Sequence, residues 1–175
     1  PGTALLTPQV DLLLQDKASG FAPLPHGPAR VAVLSAAGNY YRSEAEAHTD
    51  PRLQQVVDAN WRAVLTAAGR SGAKVAVLSA LGCGAFHNPA EIVAASLARA
   101  LREPLAFGSL ERVCVIIMED HNSGGTNVAR FRGALEAAAT SDGRLQPMPI
   151  TTSFGAPSAS SASSASSASS APSAP

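Results

Sequence analysis

The chain has 175 residues, of which 46% are hydrophobic and 15% charged, enough apolar material for one buried core. Thirteen Lys and Arg balance thirteen Asp and Glu, and this neutrality argues against a dedicated nucleic-acid binder, which carries a basic excess to meet backbone phosphates. No apolar run approaches the ~20 residues that span a bilayer, and no signal-peptide pattern opens the chain.

In chain order, "TALLTP" and "VDLLLQD" read as two extended pieces with a bend at Pro8, and "GFAPLPHGPAR" reads as a loop. The run Val31 to Leu34 in "RVAVLSAAGNYY" suits a strand covered on both faces, as in a parallel sheet. Glu44, Glu46 and Asp50 form an acidic stretch that reads as a solvated loop. Asp50-Pro51 predicts a helix start, with Asp50 as N-cap and Pro51 at the first helical position. From there Leu53, Val57, Trp61, Val64, Leu65 and Ala68 make one apolar helix face, with Trp61 as core, and Gly69 or Gly72 ends the helix.

"KVAVLSAL" repeats the style of the earlier strand, and the helix after it carries Ile92, Val93, Ser96, Leu97, Ala100 and Leu101 on one side. "RVCVIIMED" is a third apolar run, and "NVARFRGALEAAA" is a last helix facing inward with Val128, Phe131 and Leu135. Strands alternating with helices predict an α/β domain with a mostly parallel or mixed sheet between helices. Residues 1–150 make that domain, and residues 151–175 are a Ser/Ala-rich tail expected to be disordered, with no large side chain to offset the entropy of ordering. Pro1, in place of Met, reads as the start of a fragment or processed product. Cys83 and Cys114 have no metal-ligand or disulfide spacing and read as small packing residues, a usage that fits a reducing compartment.

Ligands of open α/β sheets bind at the carboxyl ends of the strands. Three loops leave strands in that sense: "SAAGNYYRSEAEAHTD", "ALGCGAFHNP" and "EDHNSGGTN". In the middle one, Gly82 and Gly84 are candidates for positive φ and for exposing successive N–H groups. Asn88 suits the N-cap, Pro89 the first helical position and Glu91 a capping box, and that helix start is a ready anion site. Phe86 would lie exposed beside it. A G-x-G before a helix is a weak pattern by itself, open both to a phosphate cradle and to a plain turn. His48, His87 and His121 lack a metal-ligand rhythm, and no Ser or Cys stands with a His in a nucleophile arrangement.

"VLSALGCGAFHNPAEIVAASLARAL" resembles the diphosphate loop and following helix of the microbial-type poly(ADP-ribose) glycohydrolases, relatives of the macrodomains. "RVAVLSAAGNYYR" resembles that family's strand ending in small residues and an asparagine, and "ARFRGAL" its closing helix. The order and spacing agree from roughly Ala4 to Ala139. The resemblance implies a macrodomain-like fold and ADP-ribose, or an ADP-ribosylated protein, as partner, with no cofactor, metal, nucleic acid or membrane. It implies that the backbone of Gly82, Cys83, Gly84, Ala85 and Phe86 holds the diphosphate, with Asn88 in the same loop. Phe86 would pack near the distal ribose, and Asn39 and Asn122 would line the cleft. An intracellular site, cytoplasmic or nuclear, goes with that reading.

The family's catalytic signature, a triple glycine followed by Gln-Glu-Glu, does not occur in these residues, and His87 stands where the family has glycine. No catalytic residue is therefore assigned. The expectation is an ADP-ribose-recognising part of a glycohydrolase whose catalytic segment precedes Pro1 or has been lost. The alternatives are a non-catalytic reader of ADP-ribose or a related nucleotide, and a structural interaction domain.

Overall fold

A computed structural model describes residues 2–103, 108–118 and 125–141 of the chain. Eight elements follow one another: β1 (Ala4–Leu12), β2 (Ala29–Ala36), α1 (Glu44–Thr49), α2 (Leu53–Arg70), β3 (Val75–Ser79), α3 (Ala90–Ala100), β4 (Arg112–Ile116) and α4 (Asn127–Ser141). β1 and β2 pair antiparallel, with the register shifting between Thr7 and Val10, where Pro8 cannot donate to the ladder. β3 and β4 pair parallel, Val77 opposite Cys114. The α/β reading therefore stands, with strands of both senses.

The two ladders share one core with the helices. Leu34 and Ala36 of the hairpin and Ala76, Leu78, Val113 and Val115 of the parallel pair meet the same core, which holds Trp61, Leu65, Val93, Leu97 and Phe131. Trp61 is buried as its place in the α2 stripe requires, and its indole N–H donates to the Val93 carbonyl at 3.0 Å, tying α2 to α3. The apolar runs are not covered on both faces, as their composition suggests. Val75 and Val77 alternate with the buried Ala76 and Leu78 and stay exposed.

Two helix starts differ from the pattern reading. The acidic stretch is helical: Ser43 caps α1 by accepting the Glu46 N–H at 3.2 Å, and Glu46 Oε2 accepts the Arg42 N–H at 2.6 Å. α2 begins at Leu53, with Asp50 closing α1 instead of capping α2. The Asp50 carboxylate accepts the Arg52 N–H and the Tyr41 hydroxyl, at 2.9 Å each, so its acceptors are spent on the turn between the two helices. No helix among the described residues is long and apolar enough to cross a membrane.

Candidate functional site

The loop from Leu81 to Pro89 leaves the carboxyl end of β3 and enters α3, and it divides into two parts. Its inward part is built by hydrogen bonds. Cys83 N–H donates to the Ala80 carbonyl, and Asn88 N–H to the Gly82 carbonyl at 3.0 Å. The Asn88 side chain is 2% exposed, and its amide nitrogen faces the carbonyl oxygens of Asn39 at 2.6 Å, Gly82 at 3.0 Å and Phe86 at 3.3 Å. Asn88 therefore does not cap α3. Pro89 stands at that position without a side-chain cap, and Asn88 ties the glycine loop to the loop that follows β2. The expected capping box fails on its other member too: Glu91 pairs with Arg130 at 3.2 Å and lies 3.2 Å from His48 Nε2.

Gly82 has φ +77, and a Cβ there would sit 2.5 Å from Asn88 Nδ2, so both the turn and the close approach require glycine. Gly84 does not share the expected positive φ, and a Cβ on it would meet nothing within 4 Å. The second left-handed residue is His87, at φ +52, held by its N–H to the Gly84 carbonyl at 2.9 Å. That strained conformation accounts physically for a preference for glycine at this position.

The outward part is different. The N–H groups of Gly84, Ala85 and Phe86 meet no acceptor among the described residues, nor does that of Gly82. Ala85 and Phe86 are exposed and Gly84 is half-buried. The Phe86 ring meets Tyr40 edge to face, centroids 5.9 Å apart at 83°, and Tyr40 is exposed as well.

The two loops are held together at three points. Tyr41 N–H donates to the Phe86 carbonyl at 3.1 Å, Asn88 reaches Asn39, and a Cβ at Gly38 would lie 3.2 Å from Gly82 Cα. Asn39 Nδ2 in turn donates to the Tyr41 hydroxyl at 3.0 Å. Burial is the first cause that raises the Tyr41 phenol above its ordinary value, while the Arg52 N–H is the first that lowers the Asp50 carboxyl. Beside Asn39 a cavity of about 410 Å³ opens against Asp50, Arg52, Gln55, Val56 and Ala59.

From below, α4 supports the loop: Asn127, buried at its start, donates to the Cys83 carbonyl at 3.2 Å, and Arg130 lies between Glu44 at 3.4 Å and Glu91. Cys83 is buried there, and burial, with the Glu44 and Glu91 charges, pushes its thiol up to about 12, so it is no nucleophile near neutral pH. The structure thus brings Asn39 and residues 82–88 together, whereas Asn122 and His121 lie outside the described residues. Sequence reasoning passed over Tyr41, Asn127 and Arg130. Only Asn127 carried a local sign, an Asn at the head of an apolar helix.

No family model matches the chain, and no curated protein matches it. Solved structures do. The poly(ADP-ribose) glycohydrolase of Deinococcus radiodurans, crystallised with ADP-ribose, is 29% identical with a TM-score of 0.60, over 77% of this chain and 52% of its own. That of Thermomonospora curvata is 27% identical with a TM-score of 0.62, over 75% of this chain and 46% of its own. The chain is a relative of the bacterial poly(ADP-ribose) glycohydrolases. Its fold is macrodomain-like on the same comparison, and it spans about half the length of these relatives. The Thermomonospora curvata glycohydrolase is also solved with the inhibitor ADP-HPD, at 27% identity and a TM-score of 0.61, over 74% of this chain and 48% of its own.

Proposed function

We propose that the outward part of the glycine loop binds the diphosphate of ADP-ribose. The observation that carries this reading is the run of N–H groups at Gly84, Ala85 and Phe86 that meet no acceptor among the described residues, on a loop at the carboxyl end of β3. Three successive donors suit the oxygens of a diphosphate, and the strand-to-helix position is where ligands of α/β folds bind. Support comes also from the Deinococcus radiodurans glycohydrolase, a relative solved with ADP-ribose. In this reading Phe86, steadied by Tyr40, lies against the distal ribose, and Asn39 borders the cleft.

At family level the function is recognition of ADP-ribose in hydrolysis of ADP-ribosyl bonds. Cleaving a glycosidic bond takes a carboxylic acid beside the anomeric carbon to protonate the leaving oxygen. Glu44 and Glu91 are ion-paired with Arg130, at 3.4 and 3.2 Å, and the triple glycine with Gln-Glu-Glu does not occur in these residues. These 175 residues are accordingly proposed to bind ADP-ribose, free or on a modified protein, with little turnover. Titration calorimetry with ADP-ribose tests the binding, and absence of heat at millimolar ligand would make the loop a structural turn. Release of ADP-ribose from a modified protein by this chain alone would overturn the non-catalytic half of the reading.

A further inference from the structure

The loop after β3 carries two left-handed residues, and one of them is not a glycine. His87 has φ +52, where a Cβ crowds the following carbonyl oxygen and glycine sits without strain. A side chain kept in such a conformation calls for a reason in its surroundings. Packing does not supply one, because His87 is only half-buried and takes no part in the apolar core. Nor do hydrogen bonds of the ring, whose nitrogens meet no partner among the described residues. His48, the other histidine close to this loop, is the contrast: its Nδ1 lies 2.7 Å from the Glu44 carbonyl oxygen and its Nε2 3.2 Å from Glu91, so the protein itself accounts for that ring.

Backbone geometry sets where the His87 ring can act. Its N–H donates to the Gly84 carbonyl at 2.9 Å and closes a turn over Gly84, Ala85, Phe86 and His87. The two ends of such a turn lie within about 7 Å of each other, so the imidazole is rooted beside the N–H groups of Gly84, Ala85 and Phe86. The next residue, Asn88, is buried and its N–H is bonded to the Gly82 carbonyl, which anchors the turn on that side. An imidazole offers at least one N–H donor in either protonation state, and a donor to a phosphate oxygen gains from the charge of the acceptor. We infer that His87 contacts the ligand, donating a ring N–H to a phosphate oxygen of the diphosphate proposed for the Gly84, Ala85 and Phe86 N–H groups, an inference that rests on that reading. The left-handed backbone then places a side-chain donor where glycine would place none.

The test is titration calorimetry with ADP-ribose on the 175-residue chain and on His87→Gly, His87→Asn and His87→Gln, with the thermal unfolding midpoint of each protein. His87→Gly should bind about tenfold more weakly while its midpoint rises, a pairing that a merely structural residue does not give. One of the two amide variants should recover affinity to within about threefold of the wild type, Asn where Nδ1 is the donor and Gln where Nε2 is, because each carries an amide N–H near the place of that atom. Equal or tighter binding by His87→Gly, a midpoint that falls together with the affinity, or weak binding by both amide variants overturns the inference and leaves the backbone reading in place. No binding by the wild type overturns both.

Discussion

The two parts of the Leu81–Pro89 loop differ in what their backbone does. In the inward part, Cys83 and Asn88 use their polar groups on the protein itself, as does the Gly82 carbonyl, through turn bonds, the Asn127 contact and the three carbonyls around Asn88. In the outward part, the N–H groups of Gly84, Ala85 and Phe86 meet no acceptor among the described residues. The difference teaches that the two glycines of one G-x-G motif can have unrelated causes. Gly82 answers a steric demand of the fold, and Gly84 answers none that the fold imposes.

Perturbing each part should therefore give opposite signatures. The largest effect concerns Cys83: with its thiol raised to about 12 from the ordinary 9.0, alkylation near neutral pH should run about a thousandfold slower than for a free thiol, measured by mass spectrometry under native conditions. The folded state holds the Cys83 proton more tightly than the unfolded chain does. Its contribution to stability is thus full below 9.0 and is lost as pH rises from there toward 12, which urea midpoints across that range would show. Next, Asn88→Ala should cost about 3 kcal/mol, because it strands buried carbonyls of two loops at once, and thermal unfolding reads it. Gly82→Ala should cost about 2 kcal/mol through φ +77 and the contact with Asn88. His87→Gly should move the other way, a gain of about 0.5 kcal/mol, since relief of the left-handed conformation exceeds the entropy of glycine. The smallest stability effect belongs to Gly84→Val, within about 0.5 kcal/mol, because its Cβ points into open space.

Much of this was legible in the residues. The α2 stripe from Leu53 to Ala68, the strand–loop–helix order around "GCGAFHNP" and the core place of Trp61 follow from periodicity and turn chemistry, which are local. The Ser43 cap of α1 is equally local, with the pattern S-x-x-E, although the Glu46 side chain accepts the Arg42 N–H and not that of Ser43. What was not legible depends on groups distant in sequence. Asn88 matches a helix cap by its neighbours, and only the approach of Asn39, 49 residues earlier, turns its amide to another use. Glu91 is drawn to Arg130 and His48 for the same reason. Nor can an apolar run report that one of its faces is bare: Val77 and Leu78 are alike in composition and differ only in what packs on them.

The central claim is that the outward N–H groups hold an anionic ligand while the inward part holds the loop. Calorimetry of ADP-ribose binding to the wild-type chain and to Gly84→Val, with unfolding midpoints of both, tests it most directly. Binding by the wild type is expected, with a loss of at least about tenfold in affinity for Gly84→Val as its side chain occupies the approach to the N–H groups, and an unfolding midpoint that barely moves. Equal affinity in the two folded proteins, or no binding by either, would contradict it.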